Sequence, residues 1–358
     1  MIKKLKIASI KSRDILVLND KDKNVKDIQF NFPGKNVINF NDGTLTEGVC
    51  IGCDLKPCLN YTKEEIDVQV LDGMPYNNDR RVCPSNAIKE NDEGKVDITP
   101  NLCINCGICF SKCASAGIFY NSEIKAFDVN HTTDDSFKII NSLTDPLVEH
   151  TSTEFTNSIN TISIINISTG FANNFVSKFK SLNAGFADLE LILVRNLLFE
   201  AGINNKVSAK GNNDLRLDFI GVHSDKFFPG ESELLGSDIL GLPRRILEGV
   251  AWMHSRKKIH VQNQIPCVMI LEFPRKRSDF YEVISDIENI TDVKIKTLSI
   301  YFLSIINLFR IKLSVNDLND YFSINKESQD YGVYFKAFID NIEEIDENYG
   351  SELYTFSK

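Results

Sequence analysis

The stretch Cys103-Ile104-Asn105-Cys106-Gly107-Ile108-Cys109-Phe110-Ser111-Lys112-Cys113 contains four of the nine cysteines in this 358-residue chain. Two-residue gaps allow three thiolates of one loop to reach three different iron atoms on one face of a cubane cluster. The small Gly107 allows backbone N–H groups to approach the sulfides. The spacing therefore predicts that this stretch binds an iron–sulfur cluster.

Four more cysteines precede this stretch, at Cys50, Cys53, Cys58 and Cys83, and Cys267 stands alone far downstream. A secreted disulfide scaffold would be short and would spread its cysteines along the fold. Cysteines concentrated in one region are typical of metal ligands, which require a reducing compartment. We therefore expect a cytoplasmic protein.

The two groups of cysteines together resemble a bacterial two-cluster ferredoxin over about residues 45–120, and Cys83-Pro84 resembles the end of one half-motif. In that family the last cysteine of each run binds the other cluster. The resemblance implies two [4Fe–4S] clusters, one held by Cys50, Cys53, Cys58 and Cys113, the other by Cys83, Cys103, Cys106 and Cys109. The sequence departs from the family in the four residues between Cys53 and Cys58, in the insertion 59–82, and in Ala114, where the family has proline.

Zinc is the alternative metal for such loops, because paired C-x2-C knuckles also bind Zn²⁺. Four cysteines in one tight run are hard to arrange around a single tetrahedral ion. We therefore expect iron–sulfur clusters, which transfer one electron at a time or serve a structural or redox-sensing role.

The pattern along the chain predicts an α+β or α/β protein with two main parts. Strands alternating with helices in the second part predict an α/β domain around a central mixed sheet. The predicted divisions are β-hairpins over 1–49, the ferredoxin-like domain over 50–125, a linker over 126–160, the α/β domain over 161–313, and an acidic tail with an accessory helix over 314–358.

Hydrophobic periodicity places the elements of the α/β domain. Its predicted elements are a buried helix over Leu189–Phe199 ending near Gly202, strands over Lys206–Lys210 and Leu215–Val222, a helical stretch over Glu233–His254 kinked or split at Pro243, a buried central strand over Cys267–Phe273, a helix after Ser278, and a strand over Val293–Leu298.

Acidic residues on these elements suggest a second site. Asp214, Arg216 and Asp218 alternate along one strand and so share a face, and Glu272 ends the buried strand. A helix carrying Glu190, then a strand with Asp, then a strand with Glu resembles the core of the PD-(D/E)XK nuclease superfamily, which has a restriction-endonuclease-like fold. An alternative is a set of salt bridges to Arg216 at the strand edge.

The nuclease resemblance implies catalytic roles for three residues. Asp218 and Glu272 would hold Mg²⁺ or Mn²⁺, and a lysine two residues after the glutamate would position the attacking water. Pro274 occupies that lysine position, so Lys276 is the expected replacement, with Lys210 as an alternative. Without a migrated lysine the domain would be an inactive relative.

The charge of the chain limits its partners. A formal net charge of -9 argues against binding nucleic acid through bulk charge alone, although Arg244-Arg245, Arg256–Lys258 and Arg275–Arg277 are locally basic. No apolar run is long enough to predict a membrane partner. Three functions remain open: a cluster-binding protein whose second domain binds or cleaves nucleic acid, an electron-transfer module that docks to a redox enzyme, and a redox sensor that gates the second domain.

Overall fold

The computed structural model describes only part of the chain, and everything below refers to that part. The described residues are 4–8, 36–39, 45–46, 50, 56–66, 79–113, 117–121, 123–131, 137–140, 174–182, 185–186, 188–208, 217–235, 238–271, 274, 278–300, 303–304, 307, 313, 315 and 353–357.

Short elements surround the cysteines. They are helix α1 (Lys63–Ile66), strands β4 (Ile88–Glu90) and β5 (Val96–Ile98), helix α2 (Ile108–Lys112), and strands β6 (Ile118–Asn121) and β7 (Ala126–Val129). β4 pairs with β5 and β6 pairs with β7, both antiparallel. A two-stranded hairpin thus follows each cysteine run, and the predicted linker over 126–160 begins inside β7.

The two ends of the chain supply further strands. β2 (Asn36–Asn39) pairs antiparallel with β3 (Leu45–Thr46) and with β8 (Phe137–Ile140). β1 (Lys4–Ala8) pairs antiparallel with β14 (Leu353–Ser357). Within the predicted β-hairpin segment 1–49, the structure describes β1, β2 and β3, and the rest of that segment lies outside the described residues. β1 pairs with the end of the chain rather than with a neighbour, and the last part of the predicted acidic tail is a strand.

The α/β domain is built on a five-stranded mixed sheet with the order β13-β12-β11-β10-β9. β9, β10 and β11 are antiparallel, while β11, β12 and β13 are parallel, so the predicted central mixed sheet is confirmed. The elements are α3 (Leu189–Glu200), β9 (Asn204–Val207), β10 (Phe219–His223), β11 (Lys226–Glu233), α4 (Leu242–Lys257), β12 (Cys267–Ile270), α5 (Phe280–Thr291) and β13 (Lys296–Ser299). Residues 174–182 are also helical.

One predicted element of this domain differs from the structure. The stretch Glu233–His254 was expected to be helical and either kinked or split in two at Pro243. Glu233 instead ends strand β11, and Pro243 lies in the first turn of α4. Proline is favoured there because the first helical N–H groups have no partner within the helix.

The central strand β12 separates two cores. Val268 and Ile270 pack with α4 and α5 on one face of the sheet. Cys267 and Met269 point to the other face, into a core that continues through α3 into the cysteine region. The cysteine region and the α/β domain therefore share one continuous hydrophobic core. Among the described helices, none combines the length and the apolar character needed to cross a bilayer.

Candidate metal centre and acidic cluster

Four thiols line one small cavity in the cysteine region. They belong to Cys83, Cys103, Cys106 and Cys109. All four cysteines are buried, and Ile104 and Phe127 contribute to the walls. Cys113, the last cysteine of the same run, is not among the lining residues. The lining cysteines are the same four that the ferredoxin resemblance assigns to one cluster.

The backbone between Cys103 and Cys109 is sharply turned. Asn105 and Gly107 both adopt the left-handed conformation, with φ of 63° and 73°, and α2 begins directly after Gly107. Asn105 holds the turn with its side chain, whose Nδ2 donates to the carbonyl of Lys125 at 3.0 Å. The Cys103 thiol donates to Asn105 Oδ1 at 3.3 Å. The hairpin β6–β7 thereby fixes the loop that carries three of the four thiols.

Cys83 reaches the cavity from a different loop. The backbone N–H of Ala87 donates to Cys83 Sγ at 3.1 Å. Ser85 Oγ donates to the carbonyl of Leu102 at 2.5 Å, which joins the Cys83 loop to the residue before Cys103. The two cysteine loops are therefore hydrogen-bonded to each other around the cavity.

Burial dominates the electrostatics of the thiols. It raises the pKa of Cys103 and raises the pKa of Cys106 and Cys109 well above the usual value, and the nearby Cys83 adds to each shift. No disulfide bond joins the described cysteines. Metal binding requires thiolates, so a cation in this cavity would have to displace the protons.

The second predicted ligand set is described only in part. Cys58 and Cys113 are buried and Cys50 is half-buried, whereas Cys53 lies outside the described residues. The N–H of Cys50 donates to the carbonyl of Asn130 at 2.7 Å. Among the described residues, no group of three or more His, Cys, Asp or Glu side chains is arranged to hold a single metal ion. Metal ligation therefore remains a proposal for both sets.

Three carboxylates meet at one corner of the mixed sheet. Asp218 directly precedes β10, and its N–H donates to the carbonyl of Gly230, the residue before Glu231 on β11, at 3.0 Å. The negative charge of Asp218 therefore acts on the Glu231 carboxyl. Asp218 Oδ2 accepts the Ser232 N–H at 2.7 Å and approaches Ser232 Oγ at 3.2 Å. Glu190, near the start of α3, accepts the N–H of Leu234 at 3.1 Å through Oε1.

Burial raises the pKa of each of these three carboxyl groups. Burial and the negative charge of Asp218 together raise the pKa of Glu231 to about 8, against the opposing charge of Arg245. Burial also raises the pKa of Asp218 and of Glu190. Such shifts are common at functional sites, although structural charge networks produce them too.

Arg245, on α4, brings positive charge to this corner. It contacts Asp238 at 2.8 Å, Glu231 at 3.2 Å and Glu233 at 3.3 Å. Its buried Nε lies within ion-pair distance of Glu231 but makes no hydrogen bond of good geometry. Charge attraction, rather than an aligned hydrogen bond, therefore joins Arg245 to Glu231.

The predicted catalytic residues are only partly described. Asp218 lies in the acidic cluster, while Glu272 and Lys276, like Asp214, lie outside the described residues and stay predictions. Glu231 was not predicted, because Pro229 and Gly230 obscured strand β11. The sequence signal for this strand was Ser224-Asp225, which lies between two apolar stretches. These two residues form the turn that joins His223 to Lys226.

Of the two basic groups that the structure describes, only one lies beside the acidic cluster. Arg245 lies beside the carboxylates, whereas Arg256, Lys257 and Lys258 lie at the other end of α4. Arg256 is about 16 Å from Arg245 along the helix axis, at 1.5 Å per residue. The third basic group, 275–277, lies outside the described residues.

Comparisons with known proteins add little to this description. No protein-family model matches the sequence, and no curated protein matches it. Among solved structures, the chain is similar to one described as the structure of restriction endonuclease FokI, with 12% sequence identity and a TM-score of 0.28. The similarity covers 64% of this chain and 41% of that chain. A TM-score this low does not establish a shared fold.

Proposed function

We propose that this protein binds a [4Fe–4S] cluster in the cavity formed by Cys83, Cys103, Cys106 and Cys109. The observation that supports the proposal is the agreement between the cavity lining and the ligand set implied by the cysteine spacing. Each iron of such a cluster takes one thiolate, so four thiols around one cavity are the donor set that it needs. A second cluster would take Cys50, Cys53, Cys58 and Cys113.

Iron and sulfide analysis tests this proposal. The wild-type protein is purified without oxygen, and its iron, acid-labile sulfide and zinc are measured. Cys83→Ser should lose about half of the iron, because one of two clusters loses a ligand. Cys267→Ser is the matched control: Cys267 is fully buried in the shared core, away from the cavity, and its removal should leave the iron content unchanged. Stoichiometric zinc without iron or sulfide would refute the proposal.

Potentiometry with EPR detection then addresses the role of the clusters. Clusters that accept and release one electron reversibly would support electron transfer to a redox partner, since [4Fe–4S] clusters exchange single electrons. Clusters that cannot be reduced at accessible potentials would exclude that role and leave a structural one.

A second candidate function rests on the acidic cluster. We propose that the α/β domain binds Mg²⁺ or Mn²⁺ and acts on nucleic acid, as its resemblance to PD-(D/E)XK nucleases suggests. The meeting of Asp218, Glu231 and Glu190 supports this proposal, because carboxylate oxygens are the ligands that these cations prefer. Neither glutamate candidate is followed two residues later by lysine: Glu233 follows Glu231, and Pro274 follows Glu272. Lys276 is proposed to fill that role.

Binding and cleavage assays test the second candidate. Wild-type protein is titrated with Mn²⁺ and incubated with single- and double-stranded DNA and RNA, alongside Asp218→Asn. Glu231→Gln and Glu272→Gln identify the second carboxylate, since only the variant that removes a ligand should weaken Mn²⁺ binding. Lys276→Met should abolish cleavage while leaving Mn²⁺ binding intact. Absence of both binding and cleavage in the wild type would reject this function.

A further inference from the structure

Two buried asparagines from outside the cysteine region reach the loops that surround the cavity. Asn196, on α3, donates from Nδ2 to the carbonyl of Val82 at 2.8 Å and to that of Arg81 at 3.1 Å. Asn307 donates from Nδ2 to the carbonyl of Cys106 at 3.3 Å. Each amide therefore binds the backbone at, or directly before, a cysteine that lines the cavity.

The contact through α3 is reinforced by a buried arginine. The Arg195 guanidinium donates to the carbonyl of Asp79 and lies 3.5 Å from that of Arg81. It also donates to Asn196 Oδ1 from Nε at 3.0 Å and from Nη2 at 2.9 Å, which fixes the orientation of that amide. Arg195 and Asn196 are only 2% and 0% exposed, so neither can reach water if its partner loop moves away.

We propose that Asn196 and Asn307 are positioning residues for the cluster, so that the α/β domain forms part of the cluster site. The inference rests on the proposed function, because it concerns the same cavity. Asn196 holds the chain that leads into Cys83, and Asn307 holds the turn at Cys106. Mutation of outer-shell groups that orient the ligands of a metal typically lowers metal affinity by about 10- to 100-fold.

The geometry also explains why these groups are polar. Leucine at position 196 would leave the carbonyls of Arg81 and Val82 without these donors inside a core where they have no access to water. Buried polar groups without partners are costly, so the loop would move to find new ones. Such movement would shift Cys83 relative to the three thiols on the other loop. The four thiols would then bind the cluster less tightly.

Iron release provides the test, with a variant of matched chemistry as control. Asn205 is also buried and also donates to two carbonyls, those of Arg195 and Ile203, each at 3.0 Å, but neither carbonyl belongs to the cysteine region. Asn196→Leu, Asn307→Leu and Asn205→Leu are prepared without oxygen, and transfer of iron to a coloured chelator is followed at a temperature where circular dichroism shows all proteins folded.

In the first two variants, half of the bound iron should leave at least about 10-fold faster than in the wild type, with the other half unchanged. The EPR spectrum and midpoint potential of one cluster should change as well. Asn205→Leu should retain the wild-type release rate and spectrum. If Asn196→Leu does not fold, Asn307→Leu provides the same test from the other side of the cavity.

Wild-type release rates and spectra in both Asn196→Leu and Asn307→Leu would overturn the inference while leaving the proposed function intact. Equal acceleration in Asn205→Leu would also overturn it, because the effect would then reflect general loss of stability. A wild-type protein without iron would refute the proposed function itself, and the inference with it.

Discussion

Gly230 lies directly against the ring of Phe219, its partner across the β10–β11 pair. A Cβ atom at Gly230 would lie 1.9 Å from Phe219 Cζ and 2.2 Å from Cε1 and Cε2. Phe219 is 1% exposed, so its ring cannot move aside without disturbing the core. Overpacking of this kind costs about 1–3 kcal/mol. Contacts this short with a buried ring place the cost at the upper end, about 3 kcal/mol. Alanine restricts the unfolded chain and returns about 0.4–1 kcal/mol, which leaves a loss of about 2 kcal/mol for Gly230→Ala.

Urea unfolding followed by fluorescence measures this loss, because Trp252 is the single tryptophan of the chain and lies on α4, against the sheet. With a slope of about 2 kcal/mol per M, the midpoint should fall by about 1 M. Gly185→Ala is the control, since its new Cβ would have no neighbour within 4 Å, and its effect should stay within about 0.5 kcal/mol. Equal midpoints for the two variants would refute the packing argument.

Three further changes probe the packing, the charge and the hydrogen bonding at other positions of the molecule. Gly249→Ala should lower the urea midpoint as well, because its Cβ would lie 2.1 Å from Leu217 Cδ2. Glu231 has a pKa raised from 4.5 to about 8, so the folded state binds more protons than the unfolded state within that window. In buffer without divalent cations, the free energy of unfolding should therefore fall as pH rises from 5 to 8, and Glu231→Gln should reduce this dependence on pH. An unchanged dependence on pH in Glu231→Gln would show that Glu231 is not the group responsible. Tyr61→Phe removes the hydroxyl that donates to Glu200 Oε1 at 2.8 Å. The free energy of unfolding, measured with heat or urea, should fall by about 1–2 kcal/mol. Unchanged stability in this variant would show that the hydrogen bond makes no net contribution.

The elements that sequence predicted best depend on local patterns. Helix α3 has apolar residues around most of its circumference and ends before Gly202, whose φ of 94° matches a helix stop. Strand β12 is a continuous apolar run, and all four of its residues are buried. The grouping of Cys83 with the later cysteines came from a family resemblance; these four cysteines line one cavity, and their role as cluster ligands stays a prediction.

Strand β11 was missed because long-range packing decides its structure. Pro229 and Gly230 both have low strand propensity, and the two glutamates that follow suggest a helix start. In the folded protein Gly230 accommodates the Phe219 ring, which comes from a neighbouring strand, and Asp218 bonds the backbone of β11 next to Glu231. No local window contains those partners, so the acidic cluster was predicted with Asp218 but without Glu231.

The division of the chain at 126–160 illustrates the same limit. Composition separates a cysteine-rich part from an apolar part, yet the two share a core through α3. The first turn of α3 carries Glu190, whose carboxylate bonds the chain after β11, and Asn196, six residues later on the same helix, bonds the chain before Cys83 through its amide. A helix this buried transmits displacement rather than absorbing it, since close-packed interiors have little free volume. The cavity and the acidic cluster are therefore positioned by one rigid element, and neither is expected to form correctly in a fragment that lacks the other.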